Sequence, residues 1–121
     1  MPEKADFQAM ADQFCSAFNA GQPAAAMGAY AEDACVVSPE GEVVIGHDQL
    51  RAYWTRQAEI RGDLKVTVED VHPLSENVIR CILSSTATEK ASNRTLIGTG
   101  LAVLRSTGME WKLVAHAWTH H

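Results

Sequence analysis

A chain of 121 residues with 15 acidic and 10 basic side chains, a formal charge of -5, has the size of one domain and no basic excess for a polyanion. Its composition, 46% hydrophobic and 21% charged with no low-complexity run, excludes the disordered and fibrous classes. Folding at this length buries roughly two-thirds of the unfolded surface, enough for one core, so residues 1–121 are read as a single domain.

The opening MPEKADFQ has no apolar signal segment, and every apolar run is far shorter than the ~18 residues of a membrane span. No nucleic-acid and no membrane partner is expected, and the expected location is cytoplasmic. Cys15, Cys35 and Cys81 are odd in number, widely separated and set in apolar patterns. That suits reduced core thiols rather than a disulfide framework or a zinc knuckle.

Phe7, Met10, Ala11, Phe14 and Phe18 recur at helical spacing and give a first helix one apolar face, which Gly21 terminates. Pro23 suits the first turn of a short second helix that carries Met27 and Tyr30 on one face and ends near Glu32. Ala34 to Ser38 and Val43 to Ile45 read as a small hairpin around Pro39-Glu40-Gly41-Glu42. After Gly46, the stripe Leu50, Tyr53, Trp54 and Gln57 predicts a third helix that runs out at Arg61-Gly62.

From Asp63 onward the chain is β-prone, with strands expected at 64–71, 78–88, 94–105 and 110–119. The gaps at His72-Pro73, Ala91-Ser92-Asn93 and Ser106-Thr107-Gly108 are short enough to make successive strands antiparallel neighbours. Helices first and strands last means α+β: three N-terminal helices packed on a curved antiparallel sheet. Strands this long must twist and coil. Gly98 and Gly100, on one face of their strand, are expected to bend it and to leave a hollow at one end.

The order of elements resembles the SnoaL-like and ketosteroid-isomerase-like families of the nuclear transport factor 2 superfamily. The segments that carry the resemblance are Phe18-Asn19-Ala20-Gly21, Tyr30-Ala31-Glu32-Asp33-Ala34, Gly46 before the third helix and Trp111-Lys112-Leu113-Val114 in the last strand. It implies a cone-shaped α+β barrel, commonly a homodimer, with a pocket between sheet and helices. It does not imply one activity, because the superfamily spans isomerases, cyclases, hydrolases, dehydratases and noncatalytic association domains. The aspartate that ketosteroid isomerases use as base corresponds to Ser38 before Pro39, and the phenol of their first helix corresponds to Phe14, so their mechanism lacks both groups here. The acid near the end of the SnoaL last strand falls at His120 or His121. The pocket arginines of kinase association domains correspond to Trp118 and to apolar or small residues, which argues against a carboxylate pocket of that type.

In the last strand Val114, His116, Trp118 and His120 alternate onto one face, which the resemblance turns inward. His116 is then the candidate acid or base, and the bland alternative is a satisfied structural histidine. Phe14, Phe18, Tyr30, Tyr53, Trp54, Trp118 and His120 are candidate walls of a ligand pocket, against the alternative of plain core packing. Ser38 is either a ligand anchor or a strand-end cap. No metal site is expected, since strand residues four apart stand about 13 Å apart and cannot share one ion. No Gly-rich phosphate loop or nucleophile elbow appears, so no cofactor is expected. Ile97, Leu101 and Val103, opposite the two glycines, make the strand apolar on both faces and predict a sheet-to-sheet homodimer. Three functions remain open. They are a binding domain for a small apolar or amphipathic molecule, an isomerase, cyclase or lyase using His116, and a structural dimerisation module.

Overall fold

The computed structural model describes residues 2–121. Helix α1 (Lys4–Asn19) is followed by a 3-10 helix (Pro23–Ala29), strands β1 (Tyr30–Val37) and β2 (Val43–Ile45), helix α2 (Gly46–Ile60), and strands β3 (Arg61–Ser75), β4 (Val78–Glu89), β5 (Thr95–Ser106) and β6 (Trp111–His120). All six strands form one sheet in the order β2-β1-β6-β5-β4-β3.

Two features differ from the sequence reading. The helices do not all precede the strands, because β1 and β2 come between the 3-10 helix and α2. The sheet is mixed rather than antiparallel: β1 pairs with β6 in parallel, while all other neighbours are antiparallel. No tight turn joins β1 to β6, so nothing in the connection enforces an antiparallel pair.

The termination of α1 follows the expected chemistry. Gly21 takes φ +76°, the Gly21 N–H donates to the Phe18 carbonyl at 3.0 Å and the Gln22 N–H to the Ala17 carbonyl at 2.9 Å, the paired bonds of a Schellman stop. The segment after it holds only seven residues and forms a 3-10 helix rather than an α-helix. Tyr30, expected on that helix, instead opens β1, where it pairs with Leu113 and its carbonyl accepts a bond from His47 Nε2 at 2.8 Å. Strand β3 also outruns its expected end. Pro73 lies within it, opposite Ile79, because β3 is the sheet edge and its outer side needs no ladder donor there.

That edge is covered by α1 through two side-chain amides. Gln8 donates from Nε2 to the Val66 carbonyl at 2.8 Å and accepts the Val68 N–H at 2.8 Å. Asn19 donates from Nδ2 to the Leu64 carbonyl at 3.0 Å and accepts the Leu64 N–H at 2.8 Å. Each carboxamide thus replaces a missing neighbour strand over one step of the ladder and blunts the edge against other chains.

Curvature comes from register shifts. The β3–β4 ladder slips between Gly62 and Lys65, Val68 and Asp70, and Pro73 and Ser75, whereas β4 and β5 pair without interruption through Gly98 and Gly100. The two glycines, expected to bend the strand, leave its ladder unbroken and provide close approach. A Cβ at Gly100 would stand 3.1 Å from the Trp118 Cβ, and one at Gly98 would stand 2.6 Å from Ser85 Oγ.

One further shift sits in β6. Val103 pairs with Ala115 and Leu104 with Leu113, so Val114 is an extra residue without an opposite. Alternation reverses across it. Leu113 joins His116, Trp118 and His120 around the interior hollow, and Val114 packs on the core cluster of α2 and β1. The expected inward set is corrected accordingly.

Gln8→Ala is expected to remove both bonds to β3 and to destabilise the fold by about 1–3 kcal/mol. Urea unfolding would read the loss, and light scattering would read increased aggregation through the bared β3 edge. An unchanged midpoint would show that α1 is held by its apolar face alone.

Candidate functional site

Two core clusters fill the space between helices and sheet. One gathers Phe18, Tyr30, Val36, Leu50, Tyr53 and Trp54, and the other Phe7, Val68, Ile79, Cys81, Ala102 and Leu104. A cavity of about 130 Å³ lies between them and is lined by residues of both. Its scale resembles the engineered cavities of roughly 150 Å³ that accept a single benzene ring.

Most of the expected wall residues meet there. Phe14, Phe18, Tyr30, Trp54, His116, Trp118 and His120 all line the cavity. Trp54 and Trp118 stack at 5.5 Å with planes 13° apart, and His116 stacks on the other side of Trp118 at 4.7 Å. Phe14 and Phe18 meet Trp54 edge-on at 4.9 and 6.0 Å. These offset and edge contacts fix the ring positions.

Tyr53 and Ser38 are buried but do not line the cavity. Ser38 closes the turn between β1 and β2: its hydroxyl accepts the Glu42 N–H at 3.1 Å, and its carbonyl accepts the Gly41 N–H at 2.9 Å. These are the bonds of a strand-end cap. Tyr53 packs behind Trp54 at 5.1 Å. Burial pushes its phenol up to about 12, with the Glu40 carboxylate adding to the effect. The Tyr53 hydroxyl is buried without a bonding partner.

Three polar lining residues carried no site signal in the sequence. Gln57 was legible only as the polar member of an apolar helical stripe, whereas Arg61 read as a helix stop and Ser85 as an ordinary strand residue. Arg61 terminates α2 and opens β3 with no loop between. Its Nη2 pairs with Glu40 at 3.1 Å, while its Nε is buried without a partner. Arg61 also lines a polar surface cleft beside Asn19, Asp63 and Lys90, so it stands between the interior and the exterior.

His116 projects from the middle of β6, opposite Ala102, with its Nε2 3.5 Å from where a Cβ at Gly100 would be. The tighter contacts of a side chain at position 100 would be with the Trp118 Cβ at 3.1 Å and the Ala117 carbonyl oxygen at 3.2 Å. Its Nδ1 is buried and unpartnered, and burial alone lowers its pKa to about 4. The imidazole is therefore neutral near pH 7, and no carboxylate orients it. Such a group donates and accepts hydrogen bonds but is a weak proton acceptor. His120, nearer the mouth, is also held below its ordinary value, first by burial and then by the Arg61 cation. The Cys81 thiol, another lining group, is pushed up to about 11 by burial and stays protonated. Among the described residues no cluster of histidine, cysteine and acidic side chains has metal-binding geometry.

The chain belongs to the SnoaL-like domain family, whose model matches residues 11–115. Its fold is that of the nuclear transport factor 2 superfamily. A ketosteroid isomerase-like protein from Erwinia carotovora atroseptica is 22% identical, with 98% of this chain and 95% of that one covered and a TM-score of 0.81. A putative calcium/calmodulin-dependent protein kinase II association domain from Xanthomonas campestris is 17% identical, with 100% and 89% covered and a TM-score of 0.80. A protein of ketosteroid isomerase-like fold from Catenulispora acidiphila, solved in complex with trimethylamine, is 14% identical, with 90% and 82% covered and a TM-score of 0.68. These likenesses establish the architecture, and the same architecture carries different activities.

The buried imidazole makes stability depend on pH. The ordinary value of 6.5 falls to about 4 in the fold, so the unfolded chain binds the proton more readily between those limits. His116 therefore favours folding fully above about pH 6.5 and progressively less as pH falls toward 4. Urea midpoints of wild type and His116→Gln at pH 7 and pH 5 are expected to show a steeper acid loss in wild type, by an order of a few kcal/mol. Equal slopes would mean that the ring reaches water.

Proposed function

We propose that this protein is a small-molecule-binding domain whose ligand enters the cavity between α1, α2 and the concave face of the sheet. The observation that carries the reading is a hollow with aromatic walls and unpartnered polar atoms on its lining. A module whose interior served packing alone would fill such a gap, since buried polar groups without partners cost about 1–3 kcal/mol each. Proton-shuttle chemistry by His116 fits less well, because an imidazole titrating near 4 with no carboxylate beside it lacks the driving force for general-base work near pH 7. Phe14, Phe18, Tyr30, Trp54 and Trp118 are assigned as walls, and His116 and His120 as polar contacts.

Ligand retrieval tests this directly. Native mass spectrometry of the protein purified from cells is expected to show a small molecule retained in wild type and lost in Ala102→Leu, whose side chain would occupy the hollow opposite His116. The variant is expected to keep or gain thermal stability. A loss of about 1–3 kcal/mol with no molecule retained by either form would point instead to a packed structural module.

The proposal includes a homodimer. On the convex face Ile97 and Leu101 are 47% and 43% exposed, and Leu101 lies between Ile82 of β4 and Ala117 of β6. A contiguous apolar sheet face favours a second sheet over water. Sedimentation is expected to give a dimer for wild type and a folded monomer for Ile97→Asp/Leu101→Asp; a monomeric wild type would refute the assembly. Among the described residues no helix is long and apolar enough to cross a membrane. The three cysteines are unpaired, which supports a reducing, cytoplasmic setting.

A further inference from the structure

The lining of the cavity specifies more than its size. Trp54 and Gln57 stand three apart on α2, so their side chains leave the helix on one face. Trp54 is 7% exposed, and its Nε1 has no hydrogen-bond partner; Gln57 Oε1 is likewise buried and unpartnered. The Tyr30 hydroxyl lies near the indole, but no hydrogen bond joins it to the indole N–H. One orphan is a donor and the other an acceptor, and both belong to residues that line one hollow.

A single group that both accepts and donates would satisfy the pair. A hydroxyl is the smallest such group. Much of the remaining lining is flat and apolar, formed by stacked Trp54 and Trp118 with Phe14 and Phe18 around them. The volume of about 130 Å³ admits a single ring and little beyond it.

Charge is excluded at both signs. No aspartate or glutamate lines the cavity, so a buried ammonium would find no counter-ion. The one lining residue with a fixed positive charge, Arg61, is bonded to Glu40 at 3.1 Å and thereby largely neutralised. A carboxylate would have to shed its water for a cation already paired.

Resting on the reading of the cavity as a ligand pocket, we infer that it selects a neutral, single-ring aromatic molecule bearing a hydroxyl, with the Trp54 N–H donating to the hydroxyl oxygen and Gln57 Oε1 accepting its proton. The stacked rings recognise the ring face, and the two atoms of α2 recognise the substituent.

Phenol and toluene test this, because they exchange a hydroxyl for a methyl on the same ring. Calorimetric titration at pH 7 is expected to detect both in wild type. Gln57→Leu should reduce the ratio of phenol to toluene affinity at least tenfold while leaving toluene binding unchanged or stronger, and Trp54→Phe, which keeps a ring but removes the N–H, should lower the same ratio. Benzoate should bind more weakly than phenol. Toluene binding with a ratio insensitive to both substitutions would overturn the hydroxyl assignment and leave the pocket standing. Benzoate binding tighter than phenol would likewise overturn it and move the head group to Arg61 Nε. Binding of none of the three would remove the pocket along with the inference.

Discussion

The attachment of α1 to the free edge of β3 is the constraint on which the remaining structure depends. A helix laid on a sheet by apolar contact alone can slide, since dispersion has little directional preference. Gln8 and Asn19, about three turns apart, instead bond to the β3 backbone at two fixed points. That fixes the height of α1 above the concave face, where Phe7, Phe14 and Phe18 form one wall of the hollow. The same four bonds occupy backbone groups that an exposed edge would offer to another chain.

Beneath this roof the electrostatics separate by depth. Charged groups lie at the rim, where Arg61 bonds Glu40, and the inner lining is neutral: aromatic rings, an uncharged imidazole and a protonated thiol. An acid–base enzyme needs a group whose affinity for protons is tuned near the working pH. Burial has moved His116 in the opposite direction from that requirement. The features that make it a poor base, desolvation and the lack of a charged neighbour, leave it suited to recognition by hydrogen bonding.

Much of this was legible in the residues. The face of α1 was readable because its apolar positions follow the helical period, and the inward set of β6 because His116, Trp118 and His120 alternate as a strand requires. Tyr30 was misplaced because the run Pro23 to Ala29 looks helical in composition, and only its pairing with Leu113 of β6, far along the chain, draws it into the sheet. Arg61 and Ser85 were missed because a polar residue at an element boundary or inside a long strand has no periodic signature. The parallel placement of β1 beside β6 pairs the two ends of the chain, and local patterning says nothing of that. The pairing of Ser38 with Glu42 shows the converse, a residue of apparent chemical promise whose hydroxyl bonds within its own turn.

The unpaired Val114 has a consequence for how this interior is maintained. Leu113 and His116 both look inward although an odd number of positions separates them, a relation that strict two-residue alternation forbids. Deleting Val114 would leave Leu113 and His116 two positions apart, so regular alternation would keep both on the inner face and the strand would lose only its bulge. The extra residue therefore sets the local twist of the last strand rather than the choice of side chains that line the interior. A homologue one residue shorter at this point would present the same inward series on a straighter strand.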